Sequence, residues 1–377
     1  MLKPLDISLF NRLKKKSLII SSAYEKLLSY SSVMGSYSEK VRDCAEVVIF
    51  ASDNSGRREF YKSFFCKNKF CPLCSEMQFR TNFNNLDSCI RLIARKNPKS
   101  RFVFGTLTVV DILPEDLYQA IRDLGSAWII LQKRLFRLKL SSGDSMFLGF
   151  DTCLEVTYKY VDGQLWFHPH LHFIAVTGAG YLPLVRSASG KTYHAKYHID
   201  YLSDGSRVRV YEDQLQHKTL SDMWSEICDG FDLLSGSYIV HLKLCGLDRL
   251  LAKQVSGSVE VASDQLASSS GLSLELTKQG RFDSDHPVDT LLVEYASKVI
   301  TKFEDLLNRP EPLYYLTVAL KGVRIFRPSG VFRKSFKDLK LSPDINKVRE
   351  HDLDKKTLYY MTYIYNYHSC SYDLQDE

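Results

Sequence analysis

The sequence predicts an α+β protein, and three observations carry that prediction. Two strand-like runs, 147–160 and 165–176, flank a Val-Asp-Gly-Gln turn and therefore predict a long antiparallel hairpin. A further run, 102–110, is rich in β-branched and aromatic residues, as strands usually are. Residues 114–138 open with a proline and two acids and carry apolar residues at helical spacing, which predicts an amphipathic helix.

The other elements follow from the same signals. Residues 1–40 have a helical pattern, and an apolar run at 47–52 and the run after its Asp-Asn-Ser-Gly turn predict a second hairpin. Helices are predicted near 215–227 and over 291–307, and strand and turn over 314–336.

Composition narrows the class of protein. The chain has 377 residues, of which 45% are hydrophobic and 25% charged, so disordered, collagen-like and coiled-coil classes are excluded. A net charge of +6 permits a nucleic-acid partner without requiring one. Because the sequence contains neither an 18-residue apolar run nor a signal peptide, we expect a cytoplasmic protein with no membrane contact. In that reducing compartment, clustered cysteines more often bind metal than form disulfides.

The segment 166–174 concentrates histidines on one strand. His168, His170 and His172 recur at every second residue and therefore share one face, with Leu171 on the other. Neutral imidazole is the commonest metal-binding side chain, so the shared face predicts a metal site. An ordinary strand with core or surface histidines is the alternative.

The turn before these histidines predicts a carboxylate opposite them. If the Asp-Gly pair at 162–163 is central to the turn, Glu155 faces His170 and lies diagonal to His168 and His172. A carboxylate with two imidazoles suits Mg²⁺ or Mn²⁺ acting on a phosphate. The third ligand is therefore either Glu155 or His168, and a one-residue slip in register would move Glu155 to the opposite face.

A cysteine run predicts a zinc site. Cys66, Cys71 and Cys74 have the spacing C-x4-C-x2-C, and structural Zn²⁺ takes four ligands. Cys44 is the nearest upstream candidate, because the predicted hairpin returns the chain towards Cys66. Arg80 is one of several basic residues nearby that we expect to contact DNA phosphate. A redox pair or unrelated buried cysteines are the alternatives, and the other five cysteines are predicted to be packing residues.

A predicted helix carries a tyrosine between basic residues. Tyr295, Lys298 and Lys302 lie at i, i+3 and i+7 and share one face. Two ammonium groups beside a phenol favour the phenolate and neutralise phosphate, as attack on a phosphodiester requires. A plain solvated helix face is the alternative.

These segments, taken in order, resemble the plasmid rolling-circle replication initiators of the HUH endonuclease superfamily, in particular the group that contains a cysteine knuckle. The cysteine run, the strand at 104–109, the His-Leu-His at 170–172 and the tyrosine helix follow the family's order, and the resemblance spans 44–337. It implies a central antiparallel five-stranded sheet flanked by helices, with the metal on one sheet face and an N-terminal zinc-binding module.

The resemblance also implies the reaction. A tyrosine nicks one DNA strand at the plasmid origin by metal-assisted transesterification, becomes joined to the 5′-phosphate, and leaves a 3′-hydroxyl that primes synthesis. By motif position, His170 and His172 are metal ligands with Glu155 as the third, Tyr295 is the nucleophile and Lys298 steadies the phosphate. The expected cofactors are catalytic Mg²⁺ or Mn²⁺ and structural Zn²⁺.

The chain departs from the family at the tyrosine helix. Several members of the cysteine-containing group place the nucleophile directly after the lysine, but Val299 follows Lys298 here and Tyr295 stands in the place of an acid. Other superfamily members carry Tyr-x-x-Lys-Tyr, and this chain looks like that pattern with its second tyrosine replaced by valine. The group that ends a replication round is therefore missing from its expected place.

The expected partners are single-stranded or hairpin origin DNA, contacted by Lys302 and Arg80, and a host helicase and polymerase. Competing functions are an HUH transposase or relaxase, a phosphohydrolase with a water nucleophile, and a non-enzymatic zinc-ribbon DNA-binding regulator. The predicted units are an N-terminal helical extension at 1–40, the zinc-binding module at 41–95, the endonuclease domain at 96–337 with an insertion at about 178–290, and a C-terminal tail at 338–377.

Overall fold

The protein is mixed helix and strand, as the sequence predicts. The computed structural model describes residues 5–54, 56–181, 184–186, 192–194, 197–201, 205–236, 240–245, 305–346 and 359–375. The helices are α1 (Ile7–Lys26), α2 (Val33–Arg42), α3 (Pro72–Lys96), α4 (Leu117–Arg137), α5 (His217–Cys228), α6 (Asp305–Asn308), α7 (Glu311–Ala319) and α8 (Gly330–Asp338). The strands are β1 (Val47–Ser52), β2 (Arg58–Ser63), β3 (Phe102–Thr108), β4 (Phe147–Val161), β5 (Gln164–Thr177), β6 (Leu184–Arg186), β7 (Thr192–His194), β8 (Tyr197–Tyr201), β9 (Arg207–Tyr211), β10 (Val240–Cys245), β11 (Tyr359–Asn366) and β12 (Ser371–Leu374).

The central sheet is antiparallel and has the strand order β10-β3-β5-β4. The expected fifth strand is not confirmed, because the described residues give this sheet four strands. Residues 325–329 run along the outer edge of β4 instead, where the Leu154 amide donates to the Ile325 carbonyl at 3.1 Å. The Arg327 and Ser329 amides donate to the Thr152 and Phe150 carbonyls, so Pro328 lies at an outward-facing position that needs no amide hydrogen.

The long hairpin has the predicted register. Asp162 and Gly163 occupy the turn with φ angles of 50° and 81°, the left-handed values that a two-residue hairpin turn requires. The two strands then pair so that Glu155 lies opposite His170. The prediction that turn chemistry sets this register is confirmed.

The two faces of the sheet are covered by different helices. On one face the α4 side chain of Trp128 stacks on Phe173 of β5, with ring centroids 5.4 Å apart. On the other face Ile90 of α3 packs with Phe104 of β3 in a second hydrophobic cluster. Since residues alternate along a strand, the histidines lie on this second face, beyond the part that α3 covers.

Gly105 of β3 allows Phe173 to lie flat against the sheet. A Cβ atom at this position would stand 2.1 Å from the Phe173 ring, and that ring is 1% exposed. We therefore expect Gly105→Ala to lower the free energy of unfolding by about 1–3 kcal/mol through overpacking, measured by urea denaturation followed by circular dichroism. Gly125→Ala in α4 is the control, because its Cβ would come no closer than 3.4 Å to Arg327. Equal losses in the two variants would contradict the packing argument.

The cysteine-bearing region shares a sheet with the C-terminal segment. The order β12-β11-β1-β2 places residues 359–366 beside β1. The described part of the predicted tail, 338–377, therefore completes the sheet of the predicted module at 41–95. Edge strands expose unpaired backbone groups, and β11 covers those of β1.

The predicted insertion at about 178–290 also contributes to the core. Within it, β10 forms one edge of the central sheet, and the buried Trp224 of α5 donates its indole N–H to the Thr108 carbonyl at 2.8 Å. The insertion is thus partly an integral element of the sheet.

The structure corrects part of the strand and turn predicted over 314–336. Helices α7 and α8 occupy 314–319 and 330–336, whereas 325–329 runs along β4 as extended chain. Pro312 lies in the first turn of α7, where its missing amide hydrogen costs nothing, so this proline favours a helix start. Among the described residues, none of the helices has the length and apolar character needed to cross a membrane.

Candidate metal centres

Glu155, His170 and His172 converge on one point of the central sheet. The Glu155 Oε2 atom lies 2.6 Å from His170 Nε2 and 2.8 Å from His172 Nε2. Their side chains are 17%, 12% and 4% exposed, so the trio is largely shielded while one side stays open to solvent. Register explains the convergence, because β4 and β5 place Glu155 directly across from His170 and diagonal to His172.

Neighbouring groups fix the orientation of both imidazole rings. His172 Nδ1 lies 3.0 Å from Thr106 Oγ1, and His170 Nδ1 lies 3.1 Å from the His168 carbonyl. With each Nδ1 engaged, both Nε2 atoms point towards the carboxylate, as in metal sites whose second nitrogen is held by an outer partner. Two imidazole nitrogens and a carboxylate oxygen within 4.8 Å of one another fit a divalent cation.

His168 belongs to a different contact. Its Nδ1 lies 3.0 Å from Asp111 Oδ1, and the other Asp111 oxygen lies 2.6 Å from Lys159 Nζ. Burial and the neighbouring His170 lower the pKa of His168, against the opposing effect of Asp111. The geometry therefore groups Glu155, rather than His168, with the histidine pair.

Cys44, Cys66, Cys71 and Cys74 form the second cluster. Their sulfur atoms all lie within 4.8 Å of one another, with 3.6 Å between Cys44 and Cys74 and 3.5 Å between Cys66 and Cys74. Four thiolates around Zn²⁺ at about 2.3 Å would lie about 3.8 Å apart, so the arrangement fits a tetrahedral zinc ion.

Tertiary structure brings Cys44 to the other three. Ala45 has a φ of 50°, and its amide donates to the Phe64 carbonyl at 2.9 Å, which closes the β1–β2 hairpin at its base. The Cys66 amide then lies 3.4 Å from Cys44 Sγ. Burial opposes ionisation of Cys71, but hydrogen bonds from the three other thiols outweigh it and lower the pKa of the Cys71 thiol.

Lys14 of α1 adds a buried cation beside the cysteines. Its side chain is fully buried, and its Nζ donates to the Cys44 carbonyl at 2.8 Å and also to the Arg42 carbonyl. Burial lowers the pKa of Lys14, and the surrounding thiols and acids oppose that shift. This residue was not predicted from the sequence, although Phe10, Lys14 and Ser17 lie at i, i+4 and i+7 on one buried helix face.

Other predicted residues are placed differently. Tyr295, Lys298 and Lys302 lie outside the described residues. The Arg80 side chain is 10% exposed and its Nε lies 2.6 Å from Glu76, so the structure does not present Arg80 to DNA. Among the five cysteines predicted to pack, Cys370 is exposed, which corrects that prediction for this residue.

Two residues of the histidine site were missed. Thr106 holds His172, and Asp111 holds His168. Thr106 lies in the strand motif that the sequence singled out, and β3 pairs it with His172. The sequence does not show that β3 lies next to β5, so the pairing of Thr106 with His172 could not be predicted from it.

Part of the chain is similar in sequence to a family of known proteins. Residues 57–187 match a family model described as a replication protein. The matched range includes the last three cysteines of the cluster and the whole Glu155, His170 and His172 site. No solved structure matches the chain.

Several curated relatives bear the name "Protein rep". The chain is 30% identical over 135 residues to one from Lentilactobacillus hilgardii, which covers 36% of the chain and 40% of the relative. It is 26% identical over 170 residues to one from Streptococcus pneumoniae, covering 44% and 51%, and 27% identical over 142 residues to one from Staphylococcus aureus, covering 37% and 58%. The chain thus spans about half the length of the relatives that it matches. These similarities confirm the resemblance to replication initiators.

Proposed function

We propose that this chain, a relative of the Rep replication proteins, starts plasmid rolling-circle replication by nicking one strand of origin DNA. The convergence of Glu155, His170 and His172 on one point carries this proposal. A site of this kind suits phosphate chemistry, because a divalent cation bound there would polarise the scissile phosphate as a Lewis acid.

In the proposed reaction, the phenolic oxygen of Tyr295 attacks the scissile phosphorus. The phenol proton passes to water as the bond from the tyrosine oxygen to phosphorus forms. The bond between phosphorus and the 3′-oxygen breaks, the 3′-oxygen takes up a proton from water and leaves as a hydroxyl, and the tyrosine stays joined to the 5′-phosphate. Lys298 neutralises the phosphate charge, and Lys302 contacts the neighbouring backbone. The covalent bond preserves the energy needed for rejoining, and the free 3′-hydroxyl serves a host polymerase once a host helicase opens the duplex.

Neighbouring residues prepare the metal site for this step. Thr106 and the His168 carbonyl hold the two imidazole rings so that both Nε2 atoms face Glu155. Asp111 in turn contacts both His168 and Lys159, which ties the segment after β3 to the β4–β5 hairpin. Orientation of this kind limits the reorganisation that the reaction requires.

The cysteine cluster has a structural role in this proposal. Cys71 caps the N-terminus of α3, a helix that packs on the central sheet. Lys69, in the same loop, donates to the Leu320 and Val323 carbonyls beyond the end of α7. Zinc held by the four thiolates would therefore fix the loop between β2 and α3, and with it the start of the helix that packs on the central sheet.

Tyr295→Phe tests the proposed nucleophile. The wild-type chain, mixed with Mn²⁺ and end-labelled single-stranded fragments that tile the DNA molecule encoding it, should give a shifted, protease-sensitive band on a denaturing gel. Loss of the phenolic oxygen should reduce formation of that band by about a thousandfold or more. Tyr359→Phe is the matched control, because Tyr359 is an exposed tyrosine of β11.

The outcomes also separate the competing functions. A covalent adduct formed by the Tyr295→Phe variant would show that Tyr295 is not the nucleophile. Cleavage by the wild type without any covalent band would favour a water nucleophile, and binding without cleavage would favour a zinc-dependent regulator. A transposase or relaxase shares the nicking step and would differ in the DNA fragment that is cut.

A further inference from the structure

The hairpin of β8 and β9 displays aromatic and basic side chains on one face. Antiparallel pairing joins Tyr197 to Tyr211 and Tyr201 to Arg207, and paired residues of a two-stranded ribbon share a face. None of the residues on this face is acidic. They are Tyr197, Ile199, Tyr201, Arg207, Arg209 and Tyr211.

This face is exposed to an extent that is unusual for such side chains. Tyr197 is 47% exposed, Ile199 46% and Tyr201 61%. A two-stranded ribbon buries little surface by itself, and clustered exposed apolar groups commonly mark a binding surface.

The two arginines of the face are associated with its tyrosine rings. The Arg209 guanidinium carbon lies 5.1 Å from the centroid of the Tyr197 ring, and that of Arg207 lies 6.0 Å from the centroid of Tyr201. Stacked in this way, the guanidinium keeps its hydrogen-bond donors available for phosphate while the ring supports its position. The face thus combines flat rings and fixed positive charges.

The base of the hairpin is anchored to the loop between α4 and β4. Asp213, just after β9, is 7% exposed and accepts hydrogen bonds from the Ser141 amide and hydroxyl, both at 2.7 Å. Further along, Trp224 of α5 donates to the Thr108 carbonyl, and Thr108 pairs with His170. The chain that follows the ribbon is therefore held on the domain that carries the histidine site.

We infer that the β8–β9 ribbon is a binding site for single-stranded DNA, separate from the metal site. The inference deepens the proposed function, on which it rests, by naming the surface that holds the unpaired strand. Tyrosine rings stack on bases of any sequence, and arginines neutralise the backbone, which together are the features of single-strand binding surfaces. Duplex bases are already stacked on one another, so exposed rings have less to bind there.

Fluorescence anisotropy with labelled oligo(dT) of 20 nucleotides tests the inference in the 377-residue chain, purified in the presence of Zn²⁺. In Arg207→Ala/Arg209→Ala we expect the affinity to fall about fivefold or more. The slope of log affinity against log salt should also fall in magnitude by about 1.4, because two phosphate contacts are lost. Tyr201→Ala should weaken binding about fivefold or more, and Tyr201→Phe should bind within about twofold of the wild type, since it keeps the ring.

Arg57→Ala/Arg91→Ala is the matched control, because it removes the same charge from exposed arginines that are paired with Glu59 and Asp87. Unchanged affinity and salt slope in the ribbon variants would overturn the inference, as would equal losses in this control. Binding of duplex alone would overturn it as well.

The nicking assay separates this inference from the proposed function. Ribbon variants that bind poorly but still form the covalent band at saturating DNA support the inference. A wild-type protein that binds oligo(dT) through the ribbon but never nicks DNA would refute only the proposed function.

Discussion

His172→Ala should abolish Mn²⁺-dependent nicking and weaken Mn²⁺ binding by about a hundredfold or more. His172 is 3% exposed and its Nε2 faces Glu155, so alanine removes one of the three converging donor atoms. Loss of an outer partner alone commonly costs 10- to 100-fold in metal affinity, and loss of a ligand should cost more. Titration calorimetry with Mn²⁺ and the denaturing-gel assay measure the two effects, and circular dichroism verifies folding.

His168→Ala is the matched control for this experiment. His168 lies on the same strand face, but it contacts Asp111 and stands outside the trio. We expect this variant to retain most Mn²⁺ affinity, and Glu155→Gln to lose it as His172→Ala does. Wild-type Mn²⁺ affinity in His172→Ala would refute the proposed metal site. A larger loss in His168→Ala than in Glu155→Gln would make His168 the third ligand.

Cys71→Ser should release zinc and unfold the region that contains the cluster. Structural zinc contributes apparent binding free energies of about 10–16 kcal/mol in small zinc domains, which is comparable to the whole stability of a typical domain. Cys71 is fully buried at the N-cap position of α3, so loss of the zinc held there should also disturb the packing of α3 on the sheet. Zinc content by elemental mass spectrometry and the midpoint of thermal unfolding measure the result, and EDTA should lower the midpoint of the wild type.

Cys370→Ser is the control for the zinc experiment, because Cys370 is an exposed cysteine outside the cluster. It should keep one zinc per chain and an unchanged unfolding midpoint. Cys44→Ser tests whether Cys44 is the fourth zinc ligand, because the spacing of the other three cysteines does not identify that ligand. A Cys71→Ser protein with full zinc content and wild-type stability would show that the cluster has no metal-binding role.

Local patterns predicted the helices α1, α2, α4 and α5 and the strands β1 to β5. These elements have strong periodicity or a turn with defined chemistry, and short-range forces are enough to specify them. The prediction failed at 314–319 and 330–336, which are helical. There it relied on the β-branched and aromatic composition and disregarded the proline that starts α7. It also missed α3, although Pro72 stands in the first turn of that helix.

For the sites, the sequence by itself determined the pairings that lie close along the chain. A two-residue turn sets which residues of its strands face each other, so Glu155 and His170 were matched from the position of Asp162 and Gly163 alone. The spacing of Cys66, Cys71 and Cys74 is equally local.

Tertiary structure alone decided the contacts between distant segments. It placed β11 beside β1, Thr106 against His172 and Lys14 beside Cys44. The packing of α3 likewise buried Arg80. The physical reason is that such contacts depend on how whole elements pack, and no short-range pattern records which of many apolar faces will meet.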